Sequence, residues 1–458
     1  VVATHDSIME GQRAYLEHQL ADFGSFLGHG SYYGPDFTAL AVRELERVYA
    51  EDLGDRDAIV REFKTNRYDA GRDRLPLSET QLRGLRHLES FVASEALSSW
   101  PRQGVHVRMD AAELRSLAHY FWWSAWVGTT NRPGKTYTYT NNWPYAASVG
   151  NVVSADSVLW SGLSVALLVA GVALITALSF RGRYYGEETG EAALALHEIE
   201  PTASQRKVVK LPAVACVLFV AQVLLGGYMA HSYVEPQGFY GIDLSQWLPF
   251  NVARGWHLQL AVFWIAACFL AMGLYMAPLI GGREPRHQGR FVDLLFTAVV
   301  LVAVGSMAGQ YLSVMGWMPD SLHSLGSAGW EYLELGYAWR ALLFAGLGFW
   351  AWLVLRAAWP AIRAERDHWG MAHLFAYSTA GVALVYVTAL FFTRDTHISI
   401  AEYWRWWVIH LWVEEIFEVF AVAVMGVIFW KMGLVEGRST ARSSGRVGRS
   451  RTSRCSGS

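Results

Sequence analysis

The sequence is short of charge. Asp, Glu, Lys and Arg make up 17% of its 458 residues, against about 25% in a typical soluble domain. The 38 basic and 40 acidic side chains nearly cancel to a net charge of −2, which gives no basis for a nucleic-acid partner. Cysteine is equally scarce. Cys216, Cys268 and Cys455 lie far apart, two in apolar runs and one in a polar stretch, so no disulfide framework is implied. No Cys-x-x-Cys-His occurs, which excludes the usual attachment site of a c-type haem. No signal peptide opens the chain: Val1 is followed almost at once by polar sequence, so a processed start or a missing upstream helix is expected. What remains is apolar. The chain is 53% hydrophobic and 14% aromatic, with 21 Trp, and a lipid bilayer is the expected surrounding.

Residues 1 to about 156 are not membrane-like. They carry many charges, short mixed helical patterns and an aromatic-rich stretch from Tyr120 to Tyr145 broken by Asn, Pro and Gly. Gly28-His-Gly-Ser-Tyr-Tyr-Gly-Pro-Asp-Phe37 is a Gly-rich loop whose backbone can approach a ligand closely, or a plain surface turn. Seven apolar segments follow, near 157–180, 208–230, 252–280, 291–315, 338–358, 370–393 and 405–432, each long enough to span a bilayer. Loops 181–207, 281–290 and 359–369 hold Arg181, Arg183, Arg206, Lys207, Arg283, Arg286, Arg290, Arg363 and Arg366. The positive-inside rule makes these loops cytoplasmic and puts the first domain outside, in the periplasm of a Gram-negative cell. From Gly437 to Ser458 the chain is mostly Arg, Ser and Gly. That composition forms neither core nor span and reads as a disordered tail or as the product of a frameshift.

Ionisable groups inside an apolar span are costly and mark function by default. In the last span His410, Glu414 and Glu418 recur every fourth residue, so an α-helix would bring them onto one face, with Glu415 pointing elsewhere. An imidazole beside a carboxylate suits iron. The plainer alternative is a His satisfied by a neighbouring helix, with glutamates lining a water pocket. His257 stands about one turn into the third span and His410 about one turn into the seventh, both from the outer end, which predicts a row of redox sites near the outer surface.

With these residues in view the chain resembles the nitric oxide reductases of the haem–copper oxidase superfamily, specifically the single-chain quinol-dependent type. His410-Leu-Trp-Val-Glu414 is similar to the reductase form of the first metal motif. Oxygen-reducing relatives carry His-Pro-Glu-Val-Tyr there. The resemblance implies that His410 and Glu414 bind a non-haem iron, FeB, and that Glu418 supports the metal site or its proton supply. Arg254-Gly-Trp-His257-Leu-Gln-Leu resembles the helix whose His is an axial ligand of haem b. Glu331-Tyr-Leu-Glu334 matches a paired-glutamate motif. Its first Glu would ligate calcium together with the Gly30-Ser-Tyr32 loop, and its second would lie on a proton route. Where the cytochrome c-bearing relatives have their haem-binding cysteines, this chain has Leu20-Ala-Asp-Phe-Gly24, so the domain fold is expected without haem c. His231, Glu235 and Phe239 resemble the family's quinol pocket.

The implied protein is an all-α membrane protein. A polytopic bundle of about seven spans in residues 157–436 follows a periplasmic cytochrome c-like domain in 1–156. The resemblance implies haem b, haem b3, FeB and calcium as cofactors, quinol and nitric oxide as reactants, and the bacterial inner membrane as location. The reaction would couple two NO to N2O and water, with Glu414, Glu418 and Glu334 serving it. A homodimer stays open. The resemblance fails after the sixth core span: the family's later histidines, which complete FeB and hold the haems, are absent beyond Glu418, so this polypeptide alone is expected to be inactive. Two rivals remain. An oxygen-reducing oxidase is disfavoured by Leu411 in place of the motif's proline and Glu414 in place of its tyrosine. A non-catalytic remnant would bind a partner only.

Overall fold

The computed structural model describes residues 2–140, 153, 155–181, 200–364 and 370–432. The tail 437–458, Cys455, Tyr145 and the loop residues Arg183 and Arg366 lie outside them. The element order is α1 (His5–Glu17), β1 (Ser25–Phe26), β2 (His29–Gly30), α2 (Phe37–Leu53), α3 (Arg56–Lys64), α4 (Glu79–Ser94), α5 (Trp100–Arg102), α6 (Ala111–Thr129) and α7 (Ala155–Arg181). Then come α8 (Ala203–Val208), α9 (Lys210–Ser232), α10 (Phe250–Gly281), α11 (Gln288–Val314), β3 (Ser327–Trp330), β4 (Leu333–Leu335), α12 (Tyr337–Ala364), α13 (Met371–Val385), α14 (Ile398–Trp406) and α15 (Phe417–Lys431). Trp407–Ile416 bridges the last two as π-helix.

Contacts divide the chain into two units. The first comprises Val1–Gly182, Leu225–Trp256 and Gln310–Glu334. Its helices start where side-chain caps satisfy free N–H groups: Thr4 and Ser7 form a capping box on α1, and Asp110 and Glu113 one on α6. Asp36 does more than cap α2. One carboxylate oxygen accepts from Ala39 N at 2.8 Å, and the other from Ser25 Oγ at 2.8 Å and Gly28 N at 2.9 Å. The Gly-rich loop is thereby tied to the helix it precedes. The interior is aromatic. Phe26 stacks on Tyr120 at 4.2 Å and Phe37 on Phe121 at 4.7 Å, with Tyr15, Phe23 and Trp100 packed edgewise or tilted around them. Each such side chain contributes roughly 1.5–3 kcal/mol by leaving water. A Cβ on Gly11 would collide with the Ser116 carbonyl, so glycine lets α1 and α6 approach closely.

The helix ends belonging to this unit are fastened to the same domain. Tyr33 stacks on Phe250 at 3.9 Å, and its hydroxyl lies 3.1 Å from the Gln103 carbonyl and 3.2 Å from that of Ser232. Asn251 Nδ2 donates to the His18 carbonyl at 2.7 Å, and Gln19 Nε2 to Ser327 Oγ at 2.7 Å. Gly329, at φ +68°, brings β3 against the Leu16 backbone, where a Cβ would have no room.

The second unit comprises Arg183–Leu224, His257–Gly309 and Leu335–Ser458, and helices joined by short loops make up most of its described residues. Tryptophan N–H groups seek main-chain carbonyls across helix pairs, as buried indoles must: Trp350 to Leu270 at 3.1 Å and Trp412 to Val382 at 2.7 Å. Gly281 leaves space for the Ala357 carbonyl and Gly305 for the Trp339 ring.

Among the described residues five helices are long and apolar enough to cross a membrane: Ala203–Ser232, Phe250–Gly281, Gln288–Val314, Tyr337–Ala364 and Met371–Leu390. The segment near 157–180 falls on α7, with a described apolar stretch Val158–Gly171. The segment near 405–432 falls on the run through α14, the π-turns and α15. That run begins at Ile398, capped by the His397 side chain onto Ser399 N. His410 therefore stands three turns from this helix start, and about one turn into the apolar segment. The polar cap sets the start, and the apolar pattern marks only where the run becomes hydrophobic.

Candidate functional site

Polar groups at four places carry the possible chemistry. In the second unit His257 presents Nδ1 to the Gln222 carbonyl at 2.9 Å. A carbonyl only accepts, so Nδ1 carries the proton and Nε2 keeps its lone pair for a metal. Gln222 is itself held, its side-chain oxygen accepting from Trp264 Nε1 at 2.7 Å.

The second place, in the same unit, is the π-helical stretch. His410 Nδ1 and Glu414 Oε2 are 2.9 Å apart, with half-exposed side chains. Glu415 and Glu418 are exposed as well. The regular four-residue stripe assumed an α-helix. The structure widens the turn here, as occurs at many functional sites, and Glu418 lies beyond the widened turn at the start of α15. No group of three or more His, Cys, Asp or Glu able to hold a metal forms among the described residues.

The other two places belong to the first unit. His231 Nε2 and Glu235 Oε2 are 2.8 Å apart, and Glu235 Oε1 accepts from Gly241 N at 2.9 Å. Both bonds favour the carboxylate, and the His231 bond, the larger cause, helps hold Glu235 below the usual range. Phe239 stands edge-on to His231 at 4.9 Å and Tyr240 lies tilted at 4.6 Å. An imidazole, a carboxylate and two rings thus share one corner beside the end of α9.

The fourth place is a buried charge cluster. Arg254 joins Asp22 at 2.7 Å and Glu331 at 2.6 Å. Burial pushes Asp22 up to about 7, with Arg254 opposing. Glu334 is fully buried, accepts from Tyr332 N at 2.9 Å, and is raised well above the usual range by burial and then by Asp22. Gly30, at φ +133°, packs against the Ala21 and Gly24 carbonyls, and the Tyr32 side chain is 83% exposed. Asp22 and Arg254 were not singled out as site residues in the sequence. The available signal was an arginine at the mouth of an apolar span, which needs an acidic partner.

Residues 206–440 match the family described as Cytochrome C and Quinol oxidase polypeptide I, which is more than half of the chain. The chain belongs to the haem–copper oxidase family. Residues 1–57 and 50–145 match the cytochrome c-like domain of the nitric oxide reductase B subunit, which places the chain among the nitric oxide reductase-type members. The nitric oxide reductase B subunit of Stutzerimonas stutzeri is 26% identical over 223 residues, 48% of this chain and 44% of that protein. The matched stretch thus spans less than half the length of that relative.

Membership of the nitric oxide reductase-type branch of the haem–copper oxidase family implies haem and non-haem iron, and the residues can be tested against both. His257 fits a haem: its tautomer is fixed and Nε2 is left as the ligand nitrogen. His410 and Glu414 suit iron by donor type, yet two donors do not complete an iron site, and no step is derived through one.

Proposed function

We propose that this haem–copper oxidase family member serves nitric oxide reduction with quinol as electron donor, in a bacterial inner membrane with residues 1–156 on the periplasmic side. Quinol oxidation releases two protons and two electrons. Two NO take up two electrons and two protons to give N2O and water. The observation that carries the reductase reading is the Glu414 carboxylate hydrogen-bonded to His410, since a carboxylate turns the donor set away from copper.

Haem supplies electron transfer when bound, and His257 would hold it. The chain's own residues serve the quinol and the protons. Glu235, held ionised, accepts from His231 Nε2 and so orients the ring, which leaves His231 Nδ1 as the acceptor for a quinol hydroxyl proton. The Phe239 ring gives the quinol head an apolar wall. Glu334, buried and raised, holds a proton on the route to the reaction site. Calcium at Glu331, Gly30 and Tyr32 would have to take Glu331 from Arg254, and no step is derived through it. A second copy in a homodimer belongs to the same reading.

The test uses the full-length protein purified from membranes. His410→Ala should lose non-haem iron and NO turnover together. Iron stoichiometry and turnover retained in that variant would sink the assignment, and copper in the unmodified protein would favour an oxygen-reducing enzyme.

A further inference from the structure

A cavity of about 1050 Å³ opens in the second unit where α8, α9, α10 and α15 come together. It lies at the helix ends that carry Arg206, Lys207, Arg283, Arg286 and Arg290, the ends the loop charges assign to the inner leaflet. Its walls are mostly apolar, among them Val208, Val209, Pro212, Ala271, Met272 and Val424. Two ionisable side chains of opposite sign line it, Arg283 and Glu200. Both are exposed, and neither makes an ion pair among the described residues. Of the neighbouring charges, Lys207 pairs with Asp293, and Glu284 accepts from Ser204 N at 3.2 Å. The polar end is fixed by a further bond, Gln205 Nε2 donating to the Tyr275 carbonyl at 2.7 Å. The cavity's shape therefore exists before any ligand arrives, which lowers the ordering cost of binding.

An apolar trough ending in these two charges of opposite sign matches a phospholipid with a zwitterionic head. We propose that this cavity binds phosphatidylethanolamine of the inner leaflet, with its phosphate on Arg283, its primary ammonium on Glu200, and an acyl chain along α9, α10 and α15. Arginine suits the phosphate because its guanidinium presents several donors in a plane. The ammonium has N–H donors for a carboxylate. The quaternary head of phosphatidylcholine has none, and the head of phosphatidylglycerol has no positive charge, so the two side chains predict an order of preference among the three.

The full-length protein, reconstituted in nanodiscs of equal phosphatidylethanolamine, phosphatidylglycerol and phosphatidylcholine, is released into detergent, and its retained lipid is read by native mass spectrometry. Phosphatidylethanolamine should be retained above the other two. Arg283→Gln should lower its retention about tenfold, the loss of one charge-assisted hydrogen bond. Glu200→Gln should leave some retention while erasing the preference over phosphatidylglycerol. Ala271→Phe, which fills the trough, should exclude all three. If that variant fails to fold, the two polar variants still decide the question. Equal retention of all three lipids, a preference for phosphatidylglycerol, or retention indifferent to both Arg283→Gln and Glu200→Gln would overturn the proposal. NO turnover is not the readout, so the result is independent of the reaction assigned above.

Discussion

Arg254 shows how one side chain can join distant parts of the sequence. It holds Asp22, 232 positions away, and Glu331, 77 positions away. All three groups are largely buried. Removing one partner of a buried ion pair leaves an uncompensated charge and typically costs about 3–5 kcal/mol. Arg254→Ala, which leaves the buried Asp22 and Glu331 carboxylates without their cation, should therefore lower the unfolding temperature of the full-length protein much more than Asp55→Ala, which removes the exposed cap of α3, worth ~1 kcal/mol. Equal losses in a melting experiment would argue against a buried pair. His18 gives a pH dependence of known sign. Burial lowers it from 6.5 to about 4. Between these values the unfolded chain binds the extra proton and the folded one does not, so stability falls as pH drops from 6.5 towards 4. The loss amounts to about 3 kcal/mol. Tryptophan-fluorescence melts from pH 7 to pH 4 should show this slope, and His18→Gln should flatten it.

At the scale of the element, glycine positions decide how closely helices pack. Gly281 ends α10 against the Ala357 carbonyl of α12, with no space for a Cβ. Gly281→Val forces the helices apart, and overpacking of this kind costs about 1–3 kcal/mol. The variant should show a lower melting temperature in detergent, while Gly282→Val, at a place open to space, suffers chiefly from its positive φ of +70°. Similar melting for Gly281→Val and the unmodified protein would remove the close approach from the account. The quinol corner is also an element property. His231 and Glu235 are one turn apart at the end of α9, and the return of the chain through the Phe239–Ile242 bridge brings the rings back onto them. Glu235→Gln keeps the shape and removes the charge. With His231 no longer held as proton acceptor, quinol-driven electron uptake should fall about 100-fold, the low end of general-base catalysis, while reduction by an artificial small-molecule donor stays unchanged.

For the whole molecule, orientation is the property to test. The basic loops predict an inner face and the first domain an outer one. Cysteine introduced at Leu97, 74% exposed on that domain, should react with a membrane-impermeant maleimide in intact spheroplasts. Cysteine introduced at Arg290, beside the basic end of α11, should react only after permeabilisation. The opposite pattern would invert the topology, and with it the assignment of the lipid cavity to the inner leaflet.

The apolar spans, the polar first domain, the charge asymmetry of the loops and the spacing of His410, Glu414, His231 and Glu235 are legible in the sequence alone. Those features are local, and hydrophobic periodicity and loop charge act over a few residues at a time. The family resemblance rested on the same short motifs, and the match over residues 206–440 agrees with it. Three features emerge from the folded chain: Arg254 stands between Asp22 and Glu331, the Gln222 carbonyl fixes the His257 tautomer, and the His410 turn is π-helical rather than α-helical. The first two depend on which distant segments meet. The third depends on a choice between helical hydrogen-bond patterns that the apolar spacing alone does not make.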